Sequence, residues 1–260
     1  MIACSSDRTE SESTNNKISA PTVNGKRLVK INHGDASMSL EYNSQGQVAK
    51  VKYHSKDGTT REESYCYEDR RVIWSPYERV YNLSNGHAAE CNYMVQTSLE
   101  ENTMTVECQE TYSYDTQGCL VKAEAPYDFA EDGPLKSIFT YTWKGGNISS
   151  VVETESGKNE ILSEYAIKYT SIENNLPLFF VYYYNNNVYL EWQGYFGMRC
   201  KNLPQSVSYT NHGAEPSWDG YSITNTYNYN LDDGLVTKIV VESTTNKGTS
   251  SQDMYELEWW

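Results

Sequence analysis

The chain repeats one short phrase: a tyrosine, an Asn or Asp, two further residues, a glycine, one residue and then an aliphatic. It reads Tyr42-Asn43-Ser44-Gln45-Gly46-Gln47-Val48 and again Tyr114-Asp115-Thr116-Gln117-Gly118-Cys119-Leu120. A copy one residue longer is Tyr229-Asn230-Leu231-Asp232-Asp233-Gly234-Leu235, and a looser one is Tyr141-Thr142-Trp143-Lys144-Gly145-Gly146-Asn147-Ile148. Asn or Asp opens a tight turn, and glycine takes the positive-φ position that closes it. The strand then resumes on an aliphatic. The phrase specifies hairpins, and hairpins in series make an antiparallel meander. It specifies an architecture and no chemistry.

The segments between the turns alternate as half-buried strands do. Met104, Val106, Cys108, Tyr112 and Tyr114 share one face, opposite Thr105, Glu107, Gln109 and Thr111. Leu135, Phe139, Tyr141 and Trp143 share another, as do Ile223, Tyr227 and Tyr229, and Tyr255, Leu257 and Trp259. Turn signals such as Lys56-Asp57-Gly58, Ser84-Asn85-Gly86 and Asn246-Lys247-Gly248 recur along the chain. Their spacing of roughly 8 to 15 residues predicts on the order of sixteen strands. Longer loops are expected at 126–134, 171–177, 194–204 and 211–220, and a helical turn only near 196–203. So many strands cannot stay a flat open sheet, because twist forces curling, closure or a split. An all-β, many-stranded antiparallel meander is expected, closed or strongly coiled into a barrel, with a two-sheet sandwich as the alternative. No composition shift divides residues 24–260, which read as a single domain.

The formal charge of −14 opposes a nucleic-acid partner, which needs clustered Lys and Arg. Ahead of the domain, Met1-Ile2-Ala3-Cys4 ends in an aliphatic, a small residue and a cysteine. That is similar to the end of a bacterial lipoprotein signal, although the charged and apolar regions of a signal peptide are absent. Residues 5–24 are Ser, Thr, Asn, Asp and Glu with little that is apolar, as a flexible tether should be. Residues 1–23 therefore read as anchor and tether, with Cys4 the acylated residue and the contact to the membrane. The other cysteines are Cys66, Cys91, Cys108, Cys119 and Cys200. They form no CxxC pair, so neither a zinc site nor a redox motif is expected. Most should be small buried hydrophobes.

The Cys-Ser-Ser-Asp tether and the Tyr-Asn/Asp-x-x-Gly-x-aliphatic hairpins together resemble a group of Bacteroidetes lipoproteins with a porin-like β-fold, of unknown function. The resemblance runs from residue 4 to about 243. It implies a lipid-anchored protein of the outer membrane, on its periplasmic or its outer face, with possible lipid or polysaccharide ligands. The hairpin phrase alone also resembles the Tyr-Asp repeats of far longer bacterial toxin shells. The group has no catalytic residues to carry over. A barrel that itself spans the membrane is a further possibility, because Tyr255, Leu257 and Trp260 resemble the terminal aromatic signal of such barrels. Short strands and strand charges oppose it, since a charge facing lipid at mid-membrane costs roughly 2–4 kcal/mol.

Little in the sequence points to chemistry. His33, His54, His87 and His212 form no HExxH, and no Gly-x-Ser-x-Gly occurs. His54 with Asp57 reads as two turn residues. Asp128, Glu131 and Asp132, and the pair Asp232-Asp233, read as solvated turn acids rather than paired glycosidase carboxylates. No enzyme, metal or cofactor is expected. Aromatic clusters remain: Trp74 with Tyr77, then Trp192, Tyr195 and Phe196, then Trp218 and Tyr221. Trp and Tyr beside Asn, Gln and Asp can stack on sugars or line an apolar pocket. They also serve as ordinary core residues. The expected role is a non-catalytic binding protein with a hydrophobic or lipid-like ligand in the curved sheet and Trp192, Tyr195, Phe196 and Trp218 near its mouth. The alternatives are a surface glycan-binding module and an envelope scaffold with a protein partner.

Overall fold

The computed structural model describes residues 18–99, 102–130, 133–158, 160–179, 181, 187–213 and 220–260. Among them sixteen strands follow one another around a closed antiparallel barrel. They are β1 (Leu28–His33), β2 (Ala36–Tyr42), β3 (Val48–His54), β4 (Thr60–Glu68), β5 (Arg71–Ser75), β6 (Arg79–Ser84), β7 (His87–Leu99) and β8 (Asn102–Tyr114). The second half holds β9 (Leu120–Ala130), β10 (Gly133–Lys144), β11 (Asn147–Glu155), β12 (Ile161–Glu173), β13 (Asn202–Asn211), β14 (Ser222–Asp232), β15 (Leu235–Thr245) and β16 (Ser250–Trp259). β16 pairs with β1 through Ile31–Leu257 and Lys30–Glu258. Closure leaves no free sheet edge, and it sets aside the two-sheet alternative.

Antiparallel order puts the turn after every even-numbered strand at one end. All the repeated phrases fall there. In the first, Asn43 Oδ1 accepts the backbone N–H groups of Gln45 and Gln47, both at 3.0 Å. In the second, Asp115 Oδ1 accepts those of Gln117 and Cys119, both at 2.9 Å. Gly46 and Gly118 close the two turns at φ 79° and 80°.

The tyrosine that opens each phrase, or the aromatic beside it, has its own task. It donates across the rim to a backbone carbonyl at the start of the preceding strand. Tyr42 reaches Leu28 O, Tyr67 reaches Val48 O at 2.7 Å, and Tyr114 reaches Ala88 O at 2.7 Å. Trp143 reaches Leu120 O at 2.7 Å, Tyr169 reaches Ile148 O at 2.8 Å and Tyr229 reaches Pro204 O at 2.7 Å. Trp259 completes the ring on Val236 O at 2.8 Å. The corresponding place on β6 holds Leu83, which has no donor to offer.

Residues of one parity face inward on each strand and make the core, among them Ile31, Val51, Val72, Tyr81, Val151 and Ile239. The outer wall carries ion pairs instead: Lys50–Glu62 at 2.8 Å, Lys52–Glu41 at 2.5 Å, Lys122–Glu124 at 2.5 Å and Lys30–Glu258 at 3.3 Å. Such a wall suits water and not hydrocarbon. β1, β2 and β3 are also only 6, 7 and 7 residues long, below the roughly 9–11 that a membrane-crossing strand needs.

Two local expectations are corrected. Residues 126–130 and 133–134 extend β9 and β10 rather than forming a loop. The helix, α1, is Val188–Trp192, not 196–203. It is too short for a periodic signal, and its start is set by Asn187, whose Oδ1 accepts from Leu190 N at 3.0 Å. At the N-terminal side the chain is already packed at Ile18 and Ala20, the latter through Ala20 N to Gly46 O at 3.0 Å.

Candidate functional site

The two ends of the lumen are built differently. At the phrase-bearing end, the connection between β12 and β13 folds inward as a plug. Its hydrogen bonds fall on the repeated turns. Val48 N donates to Gln193 Oε1 at 2.9 Å, and Gln47 Nε2 donates to Tyr195 Oη at 2.7 Å. Ala88 N donates to Tyr195 O at 2.7 Å, Met198 N to Gly118 O at 2.8 Å and Lys201 N to Gly146 O at 2.9 Å. Gly197 crosses so close to the Gly118 turn that a Cβ there would sit 2.2 Å from the Gly118 carbonyl oxygen. Behind these contacts Phe196 meets Tyr81 and Tyr112 edge-on, with ring centroids at 5.9 and 4.9 Å. Tyr195 stacks on Tyr67 at 5.7 Å.

Toward the other end the lumen becomes polar. On the β3–β8 side, two carboxylates sit inside the wall with an arginine each. Arg79 Nη1 donates to Glu110 at 2.8 Å and lies 3.9 Å over the Tyr93 ring. Tyr112 also donates to Glu110. Arg61 Nη2 donates to Glu63 at 3.0 Å and lies 4.4 Å over the Tyr53 ring. Trp74 Nε1 and Tyr65 Oη complete the Glu63 shell at 3.1 and 3.3 Å. Burial lifts the Glu63 carboxyl above the usual carboxylate range, against the opposing pull of Arg61.

The β12–β16 side leaves a cavity of about 410 Å³. Its walls are Tyr165, Tyr209 and Tyr255 with Val207, Ile223 and Val241, and its polar groups come from Asn225, Ser243, Ser251 and Asp253. Asn225, Ser243 and Ser251 lie in register on adjacent strands, so the polar groups form a row across the wall. Ser243 Oγ donates to Asn225 Oδ1 at 2.7 Å. His33 Nε2 lies 3.1 Å from Asp253 Oδ1, and its ring stacks on Tyr255 at 4.5 Å. Tyr165 and Tyr209 are neighbours across β12 and β13, with centroids 4.9 Å apart at 44°. Burial raises both of their phenols.

The residues singled out from the sequence divide between the two ends. Trp192, Tyr195 and Phe196 lie at the plugged end, 2 %, 4 % and 4 % exposed. Their place is the plug core and not a mouth, because α1 and the turn that follows it carry them inward onto the strands. Trp74 and Tyr77 lie together at the cavity end, their rings 4.6 Å apart, with Tyr77 exposed. Tyr221 is also at that end, under Lys247 Nζ at 5.5 Å. Trp218 and Cys4 lie outside the described residues. The cavity walls form no cluster in the sequence, because each strand supplies only one to three of their residues. A usable signal was present: Asn225 shares parity with Ile223 and Tyr227, and Asp253 with Tyr255 and Leu257, so each is a polar residue on an inward face. Glu110 stands likewise between Cys108 and Tyr112. Among the described residues no group of three His, Cys, Asp or Glu is placed to hold a metal. Cys91, Cys108, Cys119 and Cys200 are free and buried.

No protein-family model and no curated protein matches the sequence. Solved structures do match the fold. A porin-like protein from Bacteroides vulgatus ATCC 8482 superposes with a TM-score of 0.61 at 19 % identity, over 89 % of this chain and 97 % of that one. A porin-like protein from Bacteroides uniformis ATCC 8492 gives 0.58 at 17 % identity, over 90 % and 96 %. The likeness covers most of each chain and is a likeness of architecture: in fold this chain is similar to these two porin-like proteins.

Proposed function

We propose that the chain is a non-catalytic binding protein of the cell envelope, tethered through an acylated Cys4, with an amphipathic ligand held at the cavity end of the barrel. One observation carries this reading. The lumen is filled tightly at the plugged end, yet about 410 Å³ stays unfilled among tyrosines and a row of polar groups at the other. That volume falls within the range of small-molecule pockets, and its mixed lining is of the kind that both covers and orients a ligand. Tyr77 and Tyr221 stand at the same end as outer contacts, with Trp74 buried behind Tyr77. Trp192, Tyr195 and Phe196 support the site from below. An ion-paired outer wall agrees with a barrel standing in water on a tether, and the porin-like neighbours from Bacteroides agree with an envelope setting.

Native mass spectrometry of protein drawn gently from its own host envelope tests the ligand. A reproducible co-purifying mass that is lost on replacing Tyr209 by Ala supports the reading. A clean apo mass, with no lipid, detergent or glycan raising the melting temperature, counts decisively against it. Detergent-phase partitioning tests the anchor: Cys4→Ser should move the protein into the aqueous phase.

A further inference from the structure

We infer that the cavity between β12 and β16 selects a neutral, polyhydroxylated ligand, a saccharide, over an acyl chain or an anion. This rests on the binding role proposed above and narrows its chemistry. Asn225 is 7 % exposed. Its Oδ1 takes the Ser243 hydroxyl at 2.7 Å, while its Nδ2 has no hydrogen-bond partner among the described residues. An occupant that brings an acceptor oxygen can take that donor. An acyl chain brings none and would bury both Asn225 and Asp253 against hydrocarbon, at further cost.

The charged groups at the cavity point the same way. Asp253 lines it, and His33 holds one Asp253 oxygen from the β1 side at 3.1 Å. The other carboxylate oxygen can accept a hydroxyl. An anionic ligand would meet that carboxylate, and none of the cavity-lining side chains is a lysine or arginine. Arg61 and Arg79 are on the β3–β8 side, each paired with a carboxylate. The tyrosines complete the match. Tyr165 and Tyr209 offer ring faces, which suit the apolar C–H faces of a sugar ring, while hydroxyls at its edge meet the polar row and Tyr255, stacked on His33, closes the β16 side.

Saturation-transfer NMR on the full chain provides the test. The probes are the neutral disaccharides maltose, cellobiose and lactose, the anionic polyol gluconate, and octanol. Transfer to the ring C–H protons of at least one disaccharide is expected, with gluconate giving none. Asn225→Leu should weaken sugar binding about tenfold or more while leaving octanol unaffected or tighter bound. Tyr209→Ala, close to the β13–β14 turn, should abolish the sugar signal and serves if the Asn225 variant does not fold. Binding of octanol but of no disaccharide overturns the saccharide assignment and leaves the binding role standing. Gluconate binding as well as the neutral sugars overturns the charge selection. Silence from every probe overturns both.

Discussion

The two ends of this barrel are made from the same sixteen strands and solve opposite problems. At the plugged end four of the turns carry the repeated phrase, the carbonyls of Gly118 and Gly146 receive the plug, and aromatic side chains fasten the rim. At the cavity end the turns vary, buried charges appear, and the inward row changes from aliphatic to Tyr, Asn, Ser and Asp. Repetition marks the end that holds the fold, and irregularity marks the end free to recognise something. Function in a meander barrel should therefore be sought away from the repeat.

That contrast can be broken most forcefully with alkali. Burial holds the phenols of Tyr67, Tyr169 and Tyr229, all rim donors, above their ordinary value of 10.0. The folded state keeps protons that the unfolded chain releases above that value, so stability falls as pH rises beyond about 10. Each such phenol can remove up to roughly 1.4 kcal/mol per pH unit. Absorbance at 295 nm should show tyrosinate appearing in one cooperative step together with loss of circular dichroism. Gradual, reversible ionisation of these phenols in a folded barrel would mean that the rim is wet.

Next in size is Trp192→Ala, which empties the plug core and removes the bond from Trp192 Nε1 to Asn175 O at 3.1 Å. A loss of about 3–5 kcal/mol is expected in urea unfolding. A loss under 1 kcal/mol would show that the plug is an ornament on a self-sufficient barrel. Tyr114→Phe deletes a single rim bond, to Ala88 O, and should cost about 1 kcal/mol. The same change at Tyr229, on the other side of the barrel with its bond to Pro204 O, should add to it. The smallest effect is expected at the other end: Tyr77→Ala, at an exposed turn residue, should shift stability by no more than about 0.5 kcal/mol. A larger change there would erase the proposed division of labour.

Much of the architecture was legible because it is local. Asn43 and Asp115 announce their turns within five residues, and alternation in residues 222–230 fixes which face of β14 is inward. The plug was not legible for the opposite reason. Its partners lie far away in the chain, as Gln193 and Val48 do, and α1 is only 5 residues long. Trp192, Tyr195 and Phe196 carry the same composition whether they line a mouth or fill a floor, and only the topology decides. The cavity was half legible. The parity of Asn225 and Asp253 was readable, but a cavity is a property of what does not reach the centre, and no single strand records it.

The reach of the plug has a consequence for how the chain assembles. Neighbouring strands are neighbours in sequence, so most pairings are short-range hairpins that can form quickly and independently. The exceptions are the seam between β1 and β16 and the plug's contacts, such as those of Gln193 to Val48 and of Tyr195 to Gln47. Those must wait until most of the chain has been laid down. The expected order is therefore a string of hairpins that curls, followed by a late step in which the seam closes around the plug as around a mandrel. Stopped-flow folding should then show Trp192→Ala slowing the final phase while leaving the early hairpin signal unchanged. Equal slowing of every phase would mean instead that the plug helps to nucleate the barrel.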